Sequence, residues 1–159
     1  MKNNRRYCIY ELRTVGLEKE KVYYGSTQQK YPYDRIGIHF RNYRRYKRLN
    51  TGFCYSFNLI QEMDNEDVIV IANVLQYVPY EDGLRTEGLY MIRASEDENI
   101  ECVNHNIPGR TRKEYYQDNK EKKKQYYQDN KEKLREYHKE YMKTYIKKGV
   151  SPLKTTELV

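Results

Sequence analysis

Apolar and polar residues alternate along two short stretches near the start of the chain. Residues 7–13 (YCIYELR) and 21–25 (KVYYG) show the period of two that indicates a β-strand. A charged segment containing Gly16 separates them, which predicts a turn over residues 14–20. The resulting hairpin would bring Tyr10 and Tyr23 near one another.

A helical period follows over residues 33–49, directly after Pro32. Its apolar residues recur at spacings of four and three, with arginines and lysines between them: Ile36, Phe40, Tyr43 and Tyr46. This pattern predicts an amphipathic helix with a cationic outer face. The residues Asn50-Thr51-Gly52 predict its end.

The most apolar run, residues 68–78 (VIVIANVLQYV), predicts a central strand. Residues 84–93 predict a further helix, with a core-facing side formed by Leu84, Leu89, Tyr90 and Ile92. A loop containing Asn104 follows. The chain is therefore predicted to contain an α+β domain, with a small antiparallel sheet of about three strands flanked by helices.

A repeat occupies the C-terminal part. The sequence YYQDNKEK at residues 115–122 recurs at 126–133, an interval of 11 residues, and a degraded copy starts at Tyr137. Eleven residues make three helical turns, so the tyrosines would form one stripe. The pattern predicts a single solvated helix of about 35 residues, which ends at Gly149 and precedes a disordered tail.

Charge divides the chain in the same way. Residues 1–109 hold 15 Lys and Arg against 15 Asp and Glu, whereas residues 110–148 hold 14 against 7. The mean hydropathy of −1.11 is too low for the whole length to pack as one core. We therefore predict a domain over 1–109, a basic helix over 110–148, a tail over 149–159 and a polyanionic partner.

Cysteine usage and hydropathy bear on location. Cys8, Cys54 and Cys102 are odd in number and widely spaced, which favours reduced thiols in an intracellular compartment over disulfides or a zinc site. No stretch has the length and apolar character of a signal peptide or a membrane span. We expect a protein that is neither secreted nor membrane-bound.

The order of six features resembles the GIY-YIG endonuclease family over roughly residues 6–110. The corresponding elements are Cys8-Ile9-Tyr10, Tyr23-Tyr24-Gly25, Arg35, His39, Glu87 and Asn104. Cys8 replaces the glycine of the first motif, and Tyr24 replaces the middle aliphatic residue of the second. The interval between Gly25 and Arg35 is slightly long. None of these departures removes a catalytic group.

The resemblance implies metal-dependent hydrolysis of DNA phosphodiester bonds. Glu87 would bind Mg²⁺ or Mn²⁺, and Arg35 would hold the phosphate through its planar fork of donors. Tyr23 would help to activate water, supported by Tyr10 and His39, because a tyrosine hydroxyl near a metal and an arginine loses its proton more readily than its usual pKa near 10 suggests. Gly25 and Asn104 would have structural or substrate-positioning roles. Among the family's subtypes, a mobile-element or viral nuclease with loose specificity fits best by analogy, because no recognisable zinc finger or helix-turn-helix follows the domain.

Plainer interpretations exist for each of these residues. Tyr10 and Tyr23 could be ordinary strand aromatics, and Arg35 and His39 could lie on a solvated helix face. Surface carboxylates also lie near Glu87 in the sequence, at Glu81 and Asp82. His105 and His138 have no partner at metal-ligand spacing and are interpreted as bystanders.

The basic repeat is predicted to be a nucleic-acid-binding arm, with DNA as partner and RNA not excluded. The predicted phosphate contacts are Arg110, Arg112, Lys113, Lys120, Lys122, Lys123, Lys124, Lys131, Lys133 and Arg135. Alternatives are a solvated charged tail or, more weakly, a coiled coil. For the whole chain, the alternatives to a nuclease are a catalytically inactive nucleic-acid-binding module and a structural interaction protein. The sequence does not specify an oligomeric state.

Overall fold

A computed structural model of the chain describes residues 5–147, with side chains up to residue 144. The predicted helix end at Gly149 and the predicted tail over 149–159 lie outside these residues. The chain divides into two compact units, Met1–Arg110 and Thr111–Val159, which we call the catalytic unit, after the residues predicted to be catalytic, and the helical unit.

The catalytic unit is built on a four-stranded mixed sheet, and the α+β class is confirmed. Strands β1 to β4 lie in the order β3-β1-β2-β4 and span Arg6–Val15, Glu20–Thr27, Ile69–Pro79 and Ile100–Cys102. The first three pair antiparallel, whereas β4 pairs in parallel with β2. The predicted count of about three antiparallel strands is therefore wrong by one. The missed strand has only three residues, too few to show a period.

The predicted hairpin is formed by β1 and β2. Gly16 begins the connection with φ +103°, a backbone conformation that favours glycine. The apolar run that predicted a central strand is β3, which lies at the edge of the sheet beside β1. The central position was wrong, and alternate residues of β3, such as Ile69 and Ile71, are exposed.

Helices cover both faces of the sheet. Helices α1 to α3 span Pro32–Leu49, Phe57–Ile60 and Gly83–Ser95, and short 3-10 turns occur at Gln61–Asp64 and Tyr80–Asp82. Helices α1 and α2 pack with Tyr10 and Leu12 on one face, whereas α3 packs with Val22 and Tyr24 on the other. Helix α1 was predicted nearly to the residue, and it ends at Asn50 in the left-handed conformation (φ 52°).

Helix α3 is present, but the predicted core-facing side is largely wrong. Tyr90 is partly buried and stacks on Tyr24, whereas the other three predicted residues are exposed: Leu84, Leu89 and Ile92. The buried positions are Gly83, Gly88, Met91 and Ala94. A Cβ atom at Gly88 would lie 2.5 Å from the carbonyl oxygen of Pro108. Glycine at position 88 therefore allows the helix to lie directly against this loop.

Residues 111–147 of the helical unit form three helices where one was predicted. Helices α4 to α6 span Arg112–Asp118, Lys120–Asp129 and Lys131–Lys147. The interruptions fall at Asn119 (φ −104°, ψ 6°) and Asn130 (φ −109°, ψ 8°). Each asparagine donates its side-chain amide to the tyrosine carbonyl four residues earlier, at 2.8 and 2.9 Å. Asparagine side chains compete in this way with the helical backbone pattern.

Within residues 5–147, no helix is both long and apolar enough to cross a membrane.

Candidate active site

Tyr10 and Gly25 form the centre of the site. They lie directly opposite one another in the β1–β2 register. A Cβ atom at position 25 would lie 2.5 Å from both the Cζ atom and the hydroxyl oxygen of Tyr10, so only glycine leaves room for this ring. On its other side, β1 changes register with β3 between Ile9 and Tyr10. Such irregularities are frequent beside active sites because they redirect a side chain.

His39 lies in the interior of the unit, and the interpretation of a solvated helix position is wrong for this residue. Its side chain is 2% exposed. The Nε2 atom lies 2.8 Å from the Tyr10 hydroxyl, and the Nδ1 atom lies 2.8 Å from the Ser56 hydroxyl. The ring of Tyr23 packs edge-on against the imidazole, with 5.1 Å between centroids. The helix, the hairpin and the start of α2 thus meet at one imidazole.

The imidazole is neutral at pH 7. Burial lowers the pKa of His39 to about 4, and the positive charge of Arg35 acts in the same direction. A neutral imidazole has one nitrogen that donates and one that accepts a hydrogen bond. His39 is therefore able to accept a proton at one nitrogen while the other remains hydrogen-bonded.

The two tyrosines are also perturbed, in the direction opposite to the sequence-based expectation. Burial raises the pKa of Tyr10 to about 12, although Arg35 acts to lower it through its charge and a hydrogen-bonding contact. Burial raises the pKa of Tyr23 as well, and the neighbouring Tyr10, Cys54 and Glu87 add to this effect. The sequence-based expectation combined a metal with an arginine; the charge of Arg35 does act to lower the pKa of both tyrosines, but desolvation is the larger effect in the folded protein.

Arg35 and Glu87 reach the tyrosines from different helices. Arg35 lies in the first turns of α1, partly buried, and its charge acts on Tyr10, Tyr23, His39 and Glu87. Glu87 lies in α3 on the other face of the sheet. Burial raises the pKa of its carboxyl group, whereas a hydrogen-bonding contact with Ser26 and the charge of Arg35 lower it. One guanidinium therefore acts on every predicted catalytic group.

Sequence reasoning missed two residues of this site, Ser26 and Ser56. Ser26 directly follows the second tyrosine motif, so its position in the sequence was a usable signal. Ser56 gave no such signal, because 17 residues separate it from His39 and only the fold brings the two together.

Glu87 is chemically suited to a hard divalent cation. Among the described residues, no group of three or more His, Cys, Asp or Glu side chains could enclose a metal ion. Mg²⁺ commonly binds through one or two carboxylates and keeps several water ligands, so a single partly exposed carboxylate fits this chemistry. The alternative carboxylates Glu81 and Asp82 are exposed in the turn before α3. Only Glu87 is held among the other site residues.

The Asn104 side chain supports the backbone of β2. Its side-chain Oδ1 accepts from the N–H of Tyr24 at 2.8 Å, and its Nδ2 donates to the carbonyl of Tyr24 at 2.8 Å. The amide thus acts as an additional strand partner beyond the end of β4. It fixes the backbone of β2 between Tyr23 and Gly25.

The predicted nucleic-acid contacts fall into two groups. Arg110 belongs to the catalytic unit, partly buried, and its Nε donates to the Ile107 carbonyl at 3.3 Å. The other nine lie exposed on the helical unit: Arg112, Lys113, Lys120, Lys122, Lys123, Lys124, Lys131, Lys133 and Arg135. The Nζ of Lys123 lies 5.2 and 4.9 Å from the ring centroids of Tyr115 and Tyr116. Cations and open aromatic faces therefore occur together in this unit.

The resemblance to GIY-YIG nucleases is one of sequence motifs. In the structure, the charge of Arg35 acts on the other four predicted catalytic residues: Tyr10, Tyr23, His39 and Glu87. Models of known protein families give no match to the chain, and no curated protein and no solved structure is significantly similar to it.

Proposed function

We propose that the chain is a metal-dependent endonuclease of the GIY-YIG type that hydrolyses DNA phosphodiester bonds. The observation that carries the proposal is the convergence of a guanidinium, a carboxylate and a hydrogen-bonded tyrosine–histidine pair from three separate elements. Phosphodiester hydrolysis requires neutralisation of the charge on the phosphate, a nucleophilic water and a base. Each requirement has a matching group in this site.

Arg35 is assigned to the phosphate, because its planar fork of donors matches phosphate oxygens. Glu87 would hold Mg²⁺ or Mn²⁺, which supplies positive charge at the phosphate and acidifies a bound water. Tyr23, which is partly exposed, meets the attacking water. Tyr10 is 1% exposed and connects the tyrosine pair to the basic nitrogen of His39.

Substrate binding would strengthen this base. In the free protein, the charge of Arg35 lowers the pKa of His39. A phosphate bound to Arg35 adds negative charge nearby and acts in the opposite direction, since an opposite charge favours the protonated imidazole. The base is thus weak without substrate and stronger when a phosphate lies in the site.

A plasmid-nicking assay tests the proposal. Supercoiled DNA is incubated with the full chain and Mg²⁺ or Mn²⁺, and the rate of nicking is compared for the wild type, Glu87→Gln and Arg35→Ala. We expect each substitution to slow nicking by about 10²–10³-fold, the usual cost of removing one charge-stabilising group. Glu81→Gln is the matched control, because Glu81 is exposed outside the site, and it should nick at the wild-type rate.

The alternative, a catalytically inactive nucleic-acid-binding module, is favoured by the exposed basic residues of the helical unit. It predicts a gel shift with DNA but no nicking at any divalent-ion concentration. That result with the wild-type chain would reject the nuclease proposal and leave binding as the function. Equal nicking rates for Glu87→Gln and Glu81→Gln would reject the role of Glu87.

A further inference from the structure

The hydrogen bonds of His39 continue beyond the site into a pair of residues with no assigned role. The Ser56 hydroxyl lies 2.8 Å from His39 Nδ1 and 3.3 Å from Cys54 Sγ. Ser56 is fully buried, and Cys54 is partly buried. The order of contacts is therefore Tyr10, His39, Ser56 and Cys54, a single row from the hairpin to the start of α2.

Ser56 occupies a position where serine ordinarily has another role. It immediately precedes helix α2, and serine at such positions usually accepts a hydrogen bond from a backbone N–H of the first turn. Here Ser56 has helical dihedral angles (φ −58°, ψ −19°) and makes no side-chain capping bond. Its backbone carbonyl accepts from the N–H of Ile60 at 3.0 Å. The hydroxyl is consequently committed to His39 and Cys54 and not to the helix.

Counting donors and acceptors gives the row a direction. The Ser56 hydroxyl donates its one hydrogen to the Cys54 sulfur, so toward His39 its oxygen accepts. The hydrogen of the neutral imidazole therefore lies on Nδ1, and Nε2 accepts from the Tyr10 hydroxyl at 2.8 Å. In the reverse direction, the Ser56 oxygen would have only the weak S–H donor of Cys54 as a partner in the row.

We propose that Ser56 and Cys54 are positioning residues that hold His39 in the Nδ1–H tautomer, with Nε2 facing Tyr10 as a hydrogen-bond acceptor. Their effect on catalysis rests on the proposed nuclease function, whereas the tautomer is a property of the folded chain alone. Neither residue contacts the substrate in this assignment. They act through the imidazole, as outer hydrogen-bonding partners orient a functional histidine in other sites.

The tautomer is measured by ¹⁵N NMR on the full chain at pH 7. The chain has three histidines, and His105→Gln and His138→Gln identify the signals of His39. We expect Nδ1 to appear protonated and Nε2 unprotonated in the wild type. Ser56→Ala should give a mixture of tautomers, and Cys54→Ala should shift the balance less. Cys54→Ser, which keeps an acceptor for the Ser56 hydroxyl, should preserve the Nδ1–H form.

Nicking rates form the second arm. Ser56→Ala should lower kcat about 10-fold to 100-fold, the range seen when an outer partner of a functional histidine is lost, with KM unchanged. Ser95→Ala is the matched control, since Ser95 is exposed on α3 away from the row. The partly buried position 54 provides a test even if Ser56→Ala fails to fold.

The outcomes are distinct. Protonation of His39 at Nε2 in the wild type, or an unchanged tautomer in both Ser56→Ala and Cys54→Ala, would overturn the inference. A wild-type chain that shows the expected tautomer shifts but never nicks DNA would reject the nuclease function and leave the positioning of His39 intact.

Discussion

Tyrosine has opposite environments in the two units of this protein. In the catalytic unit, Tyr10 is 1% exposed and its hydroxyl lies 2.8 Å from an imidazole. In the helical unit, the repeated tyrosines are between 48% and 63% exposed: Tyr115, Tyr116, Tyr126 and Tyr127. The described ring contacts of Tyr115 and Tyr116 are with Lys123 of the next helix, α5. The same residue type is thus a buried, hydrogen-bonded side chain in one unit and an open aromatic surface in the other.

The range of the contacts explains this difference. Tyr10 and His39 are 29 residues apart, and Tyr24 and Asn104 are 80 residues apart. In the helical unit, the described side-chain hydrogen bonds join residues three or four positions apart. Long-range contacts exclude water and change pKa values, whereas local contacts leave side chains solvated. A preformed site is therefore expected in the catalytic unit, whereas the described residues of the helical unit form a solvated surface.

The first prediction compares buried His39 with His138, which is exposed in the helical unit. The pKa of His39 is about 4 in the folded state and about 6.5 in the unfolded state. Between these values the unfolded chain binds more protons, so stability is full above the unfolded pKa and is lost as the pH falls. For His39 alone, lowering the pH from 7 to 5 should reduce the free energy of unfolding by about 2 kcal/mol.

Denaturant unfolding of the full chain at both pH values, followed by circular dichroism, measures this loss. In His39→Gln the loss of unfolding free energy between pH 7 and 5 should be about 2 kcal/mol smaller than in the wild type. His138→Gln should behave as the wild type does. An identical pH dependence in His39→Gln and the wild type would show that the imidazole is not buried in its neutral form. The two units would then not differ in the burial of their histidines.

The second prediction concerns DNA affinity. Four lysines of the helical unit are changed to glutamine in one variant: Lys120, Lys122, Lys124 and Lys131. The matched variant changes four exposed arginines of α1 to glutamine and so has the same net charge: Arg41, Arg44, Arg45 and Arg48. If the helical unit contacts the phosphates, the lysine variant should lower the salt dependence of log K by roughly 3 to 4, because each contact contributes about 0.9.

Binding is measured by fluorescence anisotropy with a labelled duplex over a range of salt concentrations. The arginine variant should keep most of the wild-type salt dependence, and both variants should keep the wild-type unfolding transition. If the salt dependence of log K fell equally in the two variants, the affinity would come from overall charge and not from the helical unit. A larger loss in the arginine variant would place it on α1.

Much of the catalytic unit was predictable, because its main elements have local signals. The hairpin followed from alternation, and α1 followed from apolar spacing between Pro32 and Asn50. The edge position of β3 could not be read from its apolar run, since position in a sheet is set by pairing partners. Strand β4 depends on pairing with β2, with which it shares three register pairs. Because this pairing stabilises β4, no pattern in its own three residues predicts the strand.

The candidate site was likewise predictable only where its residues belong to local sequence motifs. Seven site positions were named from the motifs. The fold brings six of them together, including Gly25 against Tyr10, while the seventh, Asn104, supports the backbone of β2. Burial was not visible in the sequence, so the desolvation that raises the pKa of both tyrosines was not foreseen. Ser26 and Ser56 escaped notice because serine is common in turns and helix starts. Their roles depend on partners distant in sequence.

The third prediction has the smallest effect and concerns the interruptions of the helical unit. Asn119→Ala combined with Asn130→Ala removes the two side-chain amides that bond to the tyrosine carbonyls. Alanine exceeds asparagine in helix propensity by up to about 0.7 kcal/mol per residue. The helices α4, α5 and α6 should therefore join, and the helical signal in circular dichroism should rise slightly with no change in the unfolding transition of the catalytic unit.

Gln117→Ala combined with Gln128→Ala is the matched control for this change. These residues lie two positions before each asparagine and within α4 and α5. Glutamine is itself a good helix former, so the control should change the helical signal little. If both double variants gave the same signal, the interruptions could not be attributed to asparagine, and the 11-residue repeat would not by itself define where the helices end. If only the asparagine variant gains helix, the asparagines of the repeat determine where the helices α4, α5 and α6 end. Single local residues would then determine structure in the helical unit, whereas contacts between residues distant in sequence determine it in the catalytic unit.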